Sequence, residues 1–87
     1  MSTDVADGAI EVAVVDLVEL RAFLETVRLA SFSDAARALG VTQPAVSRQV
    51  QRLEREVGAS LLQRGDGPVA PTAAGHELLR FAERVLA

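Results

Sequence analysis

A helix predicted over residues 43–57 presents arginine and glutamine side chains, and no acid, on its outward face. The members of this polar face are Pro44, Arg48, Gln51, Arg52 and Arg55. The opposite stripe, which we expect to enter a core, consists of Val46, Val50, Leu53 and Val57. Guanidinium groups can form paired hydrogen bonds with planar acceptors. A charged solvent face is also what any amphipathic helix has, so both interpretations are open at this point.

The residues just before this helix are typical of a helix-turn-helix. Ser33 is the predicted N-cap of a short helix over Asp34–Leu39, which Gly40 ends. In the three-residue turn that follows, Val41 is expected to be a buried plug and Thr42 the N-cap of the next helix. This tight connection favours a recognition helix over an ordinary solvent face for the arginine-bearing segment.

Residues 1–15 are predicted to form an N-terminal tail. We expect this tail to be disordered because its first eight residues are small and polar. From Ala9 onward the alternation of Ile10, Val12 and Val14 fits a strand. An irregular apolar arm fits this stretch equally well, so both alternatives are open.

The first clear helix is predicted to begin after Asp16, and Glu19 three residues later makes this start similar to a capping box. The helix runs to about Arg28. Its apolar positions, which share one face at the helical period, are Leu17, Leu20, Phe23, Leu24 and Val27.

A short hairpin is predicted beyond the arginine-bearing helix. The turn Gly65-Asp66-Gly67 separates two extended runs, over residues 61–64 and 68–70. Pro68 and Pro71 exclude a central place in a larger sheet, which suits a two-stranded wing.

Thr72 is the predicted cap of a last helix that continues to the end of the sequence. Its apolar stripe is too broad for one small domain to cover, so we expect a longer helix that is cut short. The predicted layout is a mainly α, winged helix-turn-helix domain over residues 16–71 and the start of a linker and dimerisation helix over residues 72–87.

Composition excludes several kinds of site. The chain has no cysteine, which excludes disulfides and thiolate zinc sites, and a single histidine, His76, which excludes a multi-histidine metal site. Ser47 has no histidine and acid arranged as a triad, so we expect no enzyme and no cofactor. No apolar run approaches the roughly 20 residues of a membrane span, so a cytoplasmic protein is expected.

The net charge of −3 argues at first against nucleic acid as a partner. This charge is an average over two different parts of the chain. Residues 1–34 carry seven acids and two arginines, whereas residues 36–65 carry five arginines and two acids. All nine basic residues are arginine, so every cationic contact can be planar and bidentate.

From Asp16 to about Phe81 the sequence resembles the N-terminal DNA-binding domain of LysR-type transcriptional regulators. The matching segments are Leu20 and Phe23, Ser31–Leu39, Val41–Val50, Leu53-Glu54, Val57-Gly58, Leu61-Leu62, Arg64 and Thr72–Gly75. The run Thr42–Gln49 is highly specific. The resemblance implies a winged helix-turn-helix in a bacterial repressor or activator. It also implies a small-molecule effector that binds a further C-terminal domain, which this sequence does not contain.

The resemblance also implies roles for individual residues on double-stranded DNA. Those placed in the major groove to read bases are Gln43, Pro44, Ser47 and Arg48. Those placed on the DNA backbone are Ser33, Thr42, Arg52 and Arg64. For Ser33 and Thr42 a plain helix cap is an equal alternative, and for Arg52 the alternative is an ion pair with Glu56.

The wing and the last helix carry two further expectations. Relatives commonly have further basic residues in the wing, whereas here Arg64 is the only one, and Asp66 opposes phosphate approach. We therefore predict a weakened wing contact. The resemblance further implies a homodimer on an inverted repeat, with candidate contacts at Leu78, Phe81, Ala82 and Val85. The alternative is a module whose last helix forms heterodimers with a full-length regulator.

Overall fold

The computed structural model describes residues 16–86, and the predictions for residues 1–15 lie outside the described part. The element order is α1 (Leu17–Leu29), α2 (Phe32–Leu39), α3 (Gln43–Val57), β1 (Leu62–Gln63), β2 (Ala70–Pro71) and α4 (Ala73–Leu86). Helices dominate, and the two strands pair with each other, so the predicted fold class, a mainly α winged helix-turn-helix, is confirmed.

The ends of α1 and α2 are set by caps. Asp16 accepts a hydrogen bond from the Val18 amide at 2.7 Å, which confirms the predicted start of α1. The N-cap of α2 is Ser31, whose Oγ accepts from the Asp34 amide at 3.0 Å. The prediction of Ser33 as this cap is wrong because Phe32, which packs against the core, already lies in the helix.

The core lies where α1, α2 and α3 meet. Its largest fully buried side chains include Leu20 and Phe23 of α1 and Leu53 of α3. Ala35 and Ala36 are the buried residues of α2, and their small side chains let the neighbouring helices approach closely. This packing fixes the angle at which α3 leaves the turn.

The wing is tied to the start of α4. Its strands are antiparallel, with Leu62 opposite Pro71 and Gln63 opposite Ala70. The Thr72 amide donates to the Leu61 carbonyl at 3.0 Å, and the Thr72 hydroxyl accepts from the Gly75 amide at 3.0 Å. Thr72 thus caps α4, as predicted.

Gly75 is required by the same close approach. A Cβ added at Gly75 would collide with the carbonyl oxygen of Leu61, so no larger residue fits without a backbone shift. The first turn of α4 therefore lies directly on the base of the wing.

Three apolar side chains predicted to be buried are partly exposed. Val57 is 42% exposed because it is the last residue of α3, beyond the reach of the other helices. Val41 is 41% exposed, so it does not plug the turn, and Leu17 in the first turn of α1 is 56% exposed. Within residues 16–86 no helix combines the length and apolar character needed to cross a membrane.

Candidate nucleic-acid interface

The turn between α2 and α3 presents the first turn of α3 to solvent. Gly40 adopts a left-handed conformation with φ of 72°, which ends α2, and the Val41 amide donates to the Ala36 carbonyl at 3.0 Å. Thr42 then caps α3 by accepting from the Ala45 amide at 3.2 Å, as predicted. Helix α3 has the predicted bounds and ends at Gly58.

The four predicted base-reading residues share one face at the start of α3. Gln43, Pro44 and Arg48 are exposed, and Ser47 is half-buried. Positions separated by four residues are neighbours on a helix, so Gln43 lies next to Ser47, and Pro44 next to Arg48. The face offers an amide, a hydroxyl, a guanidinium and an apolar ring edge within two turns.

Ser33 lies beside this face, although it caps no helix. Its hydroxyl donates to Oε1 of Gln43 at 3.5 Å, a long hydrogen bond that joins the first turns of α2 and α3. With Oε1 engaged in this way, the NH₂ group of Gln43 is left as a donor to solvent. Ser33 and Gln43 therefore form one polar cluster.

The arginines of α3 differ from Arg28 of α1 and Arg37 of α2 in their partners. Arg28 pairs with Glu25 at 2.6 Å, and Arg37 pairs with Asp34 at 2.9 Å. Among the residues that the structure describes, no ion pair within 4 Å involves Arg48, Arg52 or Arg55. The predicted alternative of an ion pair between Arg52 and Glu56 is thus not formed.

Arg52 nevertheless lies near a buried acid. Glu19 of α1 is only 4% exposed, and its Oε1 has no hydrogen-bond partner among the described side chains. Burial raises the pKa of the Glu19 carboxyl, the neighbouring carboxyl group of Glu56 and the charge of Asp16 raise it further, and the charge of Arg52 lowers it. Charged groups of α3 therefore act on the buried carboxyl of α1.

The wing is fastened to α3 by Glu54. Its carboxylate accepts from the amides of Leu61 at 2.9 Å and Leu62 at 3.3 Å. The same carboxylate pairs with Arg64 at 3.4 Å, and the Arg64 guanidinium lies 5.7 Å from the centre of the Phe32 ring. Arg64 is exposed, but it is held by contacts with two helices.

The roles of Glu54 and Phe32 do not follow from the sequence. On a helical wheel Glu54 lies on the flank of α3, where an acid needs no special explanation. Its partners are seven, eight and ten residues further along and lie beyond the end of α3, so the helical period of α3 does not link them to Glu54. Only the chain reversal after Gly58 brings these groups together.

The predicted dimer contacts on α4 separate into two kinds. Ala82 is fully buried inside this chain, so the prediction that it contacts a partner is wrong. Leu78 and Phe81 are half-buried and pack partly against the core, whereas Val85 is 42% exposed. The face left for another molecule is therefore narrower than the sequence predicts.

The described residues contain no group of three acid or histidine side chains that could hold a metal ion. His76 is exposed in the first turn of α4, and its amide donates to the Thr72 carbonyl at 2.8 Å.

Comparison with known sequences assigns the family. Residues 17–76 match the bacterial regulatory helix-turn-helix proteins of the lysR family. The chain belongs to the lysR family. It is 44% identical over 71 residues to the HTH-type transcriptional regulator BenM of Acinetobacter baylyi, a match that covers 82% of this chain and 23% of BenM. It is 46% identical over 70 residues to the regulator CfxR of Cupriavidus necator, covering 80% of this chain and 22% of CfxR.

Solved structures agree with this assignment. The BenM DNA-binding domain in complex with catB site 1 DNA superposes with a TM-score of 0.79 at 44% identity, covering 82% of this chain and 79% of that chain. The CbnR DNA-binding domain in complex with DNA gives a TM-score of 0.77 at 37% identity, covering 82% of each chain. The present chain spans about a fifth of the length of the curated relatives it matches.

Proposed function

We propose that this chain binds double-stranded DNA in a sequence-specific manner, as the DNA-binding part of a transcriptional regulator. The observation that carries the proposal is the face shared by the four base-reading candidates at the start of α3, where Gln43, Pro44 and Arg48 are exposed. The lysR-family relationship and the solved complexes of BenM and CbnR with DNA support it. In this function α3 enters the major groove with its N-terminal end toward the base edges.

The proposed base contacts follow from the chemistry of the four side chains. Arg48 can donate two hydrogen bonds to a guanine, and the free NH₂ group of Gln43 can donate to a base edge. Ser47 adapts as donor or acceptor, and Pro44 offers an apolar contact to a thymine methyl. Together they would distinguish base pairs rather than only bind phosphate.

Contacts to the DNA backbone are proposed for Ser33, Thr42, Arg52 and Arg64. Ser33 and Thr42 lie at the exposed first turns of α2 and α3, where hydroxyl and amide groups can meet phosphates. Arg52 is further along α3 and has no ion pair among the described residues. Arg64 would reach DNA from the wing while it is held by Glu54, so we propose a weaker contact there.

A homodimer on an inverted repeat is the proposed working form. The half-buried Leu78 and Phe81 and the exposed Val85 leave part of α4 uncovered by this chain. A two-fold pair joined through α4 would present two copies of α3 to successive major grooves. The same face would also serve the alternative function, in which α4 forms a heterodimer with a full-length regulator.

A mobility-shift experiment with the 87-residue chain tests the proposal. Duplexes selected from a random pool should be retarded at ordinary salt, and sequencing them should give two related half-sites in inverted orientation. Absence of any selected duplex, together with stable heterodimers when a longer lysR-family regulator is added, would favour the alternative and contradict DNA binding by this chain.

A further inference from the structure

The incompletely covered face of α4 carries an apolar seam. Its residues follow one another at spacings of four, three and four, and they are Ala74, Leu78, Phe81 and Val85. This is the repeat at which two helices pack along a common line. The first three are half-buried and pack partly against the core of this chain, and Val85 is 42% exposed. The seam therefore lies at the edge of the domain, where a further helix can complete its burial.

The two flanks of this seam differ in chemistry. On one flank lie Gly75 and Ala82, which are buried within this chain. On the other flank lie Glu77 and Arg84, which are both exposed. They are seven residues apart and so occupy the same position of the repeat. A helix placed on the seam would contact this charged flank.

Glu77 and Arg84 are both without an ion pair in the part of the chain that the structure describes. Arg80 follows Glu77 at three residues, the spacing at which Glu25 pairs with Arg28 in α1. In α4 the same spacing gives no pair within 4 Å. The domain therefore leaves one acid and one arginine of the flank to a partner.

We propose that Glu77 and Arg84 determine how α4 pairs with a second copy of this chain. The two helices run antiparallel, and Glu77 of each copy binds Arg84 of the other. In an antiparallel pair the same flank of each helix faces its counterpart, so a two-fold axis between Leu78 and Phe81 brings the opposite charges together twice. This inference rests on the proposed homodimer and adds its orientation, its register and its selectivity.

A parallel pair would not use these charges. In that orientation the flank of Glu77 and Arg84 faces the opposite flank of the other copy. The opposite flank consists of Gly75 and Ala82, which carry no charge. The charge pattern thus favours the antiparallel orientation, and it favours a second copy over a helix that lacks complementary charges at these two positions.

Reversal of one charge tests the assignment on the 87-residue chain without DNA. Glu77→Arg should weaken the homodimer on the order of tenfold, because two attractive pairs become two like-charge contacts. Glu77→Arg combined with Arg84→Glu exchanges the two charges and should restore the natural affinity. The matched control is Glu83→Arg, the same substitution on the face of α4 that points away from the seam, and it should leave the affinity unchanged. Sedimentation equilibrium measures all four chains.

A mixture of two single variants tests the selectivity. Glu77→Arg and Arg84→Glu each place like charges together in their own homodimers, whereas both contacts become attractive when one chain of each kind pairs. Native mass spectrometry of the mixture should show the heterodimer roughly tenfold more abundant than either homodimer.

The failure of this inference and the failure of the proposed function give different results. If the natural chain forms a dimer and Glu77→Arg dimerises equally well, or if the mixture is purely statistical, the charge pair is overturned while the homodimer and DNA binding through α3 stand. A natural chain that stays monomeric would contradict the homodimer, and this inference with it.

Discussion

Helix α3 and the wing both carry arginine, but they hold it in different ways. Arg48 and Arg52 are exposed and have no ion pair among the described residues. Arg64 of the wing is paired with Glu54 and lies over the Phe32 ring. An arginine without an internal partner loses no ion pair when it contacts DNA. Arg64, by contrast, must share or break its ion pair with Glu54.

This difference indicates where affinity and specificity arise. Residues 16–87 contain nine arginines and nine acids, so the described domain has no excess of positive charge to attract DNA over a distance. The proposed DNA binding would then depend on a few well-placed side chains of α3 and on the proposed dimer. The wing would support the position of the domain and contribute little to the choice of sequence.

The largest effect on DNA affinity is expected for Arg48→Ala. Loss of a paired guanine contact should weaken binding to a selected duplex by about 1 to 3 kcal/mol and relax the base preference at one position. Anisotropy titrations with selected and random duplexes measure this change. Arg80→Ala, at an exposed position of α4, is the control and should alter neither titration. Equal losses of affinity for the selected and the random duplex would show that Arg48 does not read bases.

A smaller effect is expected for Arg64→Ala, because this side chain is already engaged within the protein. The affinity should fall by less than about 1 kcal/mol, the usual range for an exposed and screened charge contact. The slope of log K against log salt should change by less than for Arg52→Ala, where loss of one phosphate contact predicts a change of about 1. If Arg64→Ala changes the slope as much as Arg52→Ala does, the wing contact is not weaker than the contact made by α3.

Glu54→Gln should affect DNA binding less than Arg64→Ala, and stability more. The amide retains one acceptor oxygen for the Leu61 or Leu62 amide but loses the ion pair, so the free energy of unfolding should fall by about 1 kcal/mol. Urea unfolding measures this loss, and Glu83→Gln on the exposed side of α4 is the matched control. If Glu54 holds Arg64 in place, the two substitutions should not be additive in DNA affinity.

Glu19→Gln should leave DNA affinity unchanged and alter the pH dependence of stability. Burial raises the pKa of Glu19 in the folded state, so folding favours the protonated carboxyl. Glu19 contributes its full stabilisation below the pKa that its carboxyl has in the unfolded chain. This contribution is lost as the pH rises through the raised pKa of Glu19 in the folded state. The neutral Gln variant should therefore be more stable than the natural chain at pH 7, with a gain that shrinks as the pH falls toward 4. A gain that is constant with pH would contradict this explanation.

The sequence predicts the helices well where local signals are unambiguous. Thr42 and Gly58 bound α3, and both are placed as the capping pattern indicates. At α2 two serines flank Phe32, and each fits an N-cap, so local sequence alone does not decide between them. The packing of Phe32 against the core places it inside the helix and selects Ser31.

What the sequence does not predict depends on contacts between elements. A helical wheel places Val57 and Leu17 on apolar faces but cannot tell that the neighbouring helices end before covering them. The attachment of the wing by Glu54 depends on the chain reversal after Gly58, which the period of α3 does not encode. The candidate base-reading face, by contrast, lies within two turns of one helix, so its spacing follows from α3 alone.

A competition titration tests whether α3 gives sequence-specific DNA binding. The 87-residue chain is bound to a duplex selected from a random pool and challenged with a shuffled duplex of the same composition, at fixed salt. If α3 reads bases, the selected duplex should bind on the order of 1,000-fold more tightly than the shuffled duplex, the lower end for specific recognition. Equal affinity for the two duplexes would contradict it.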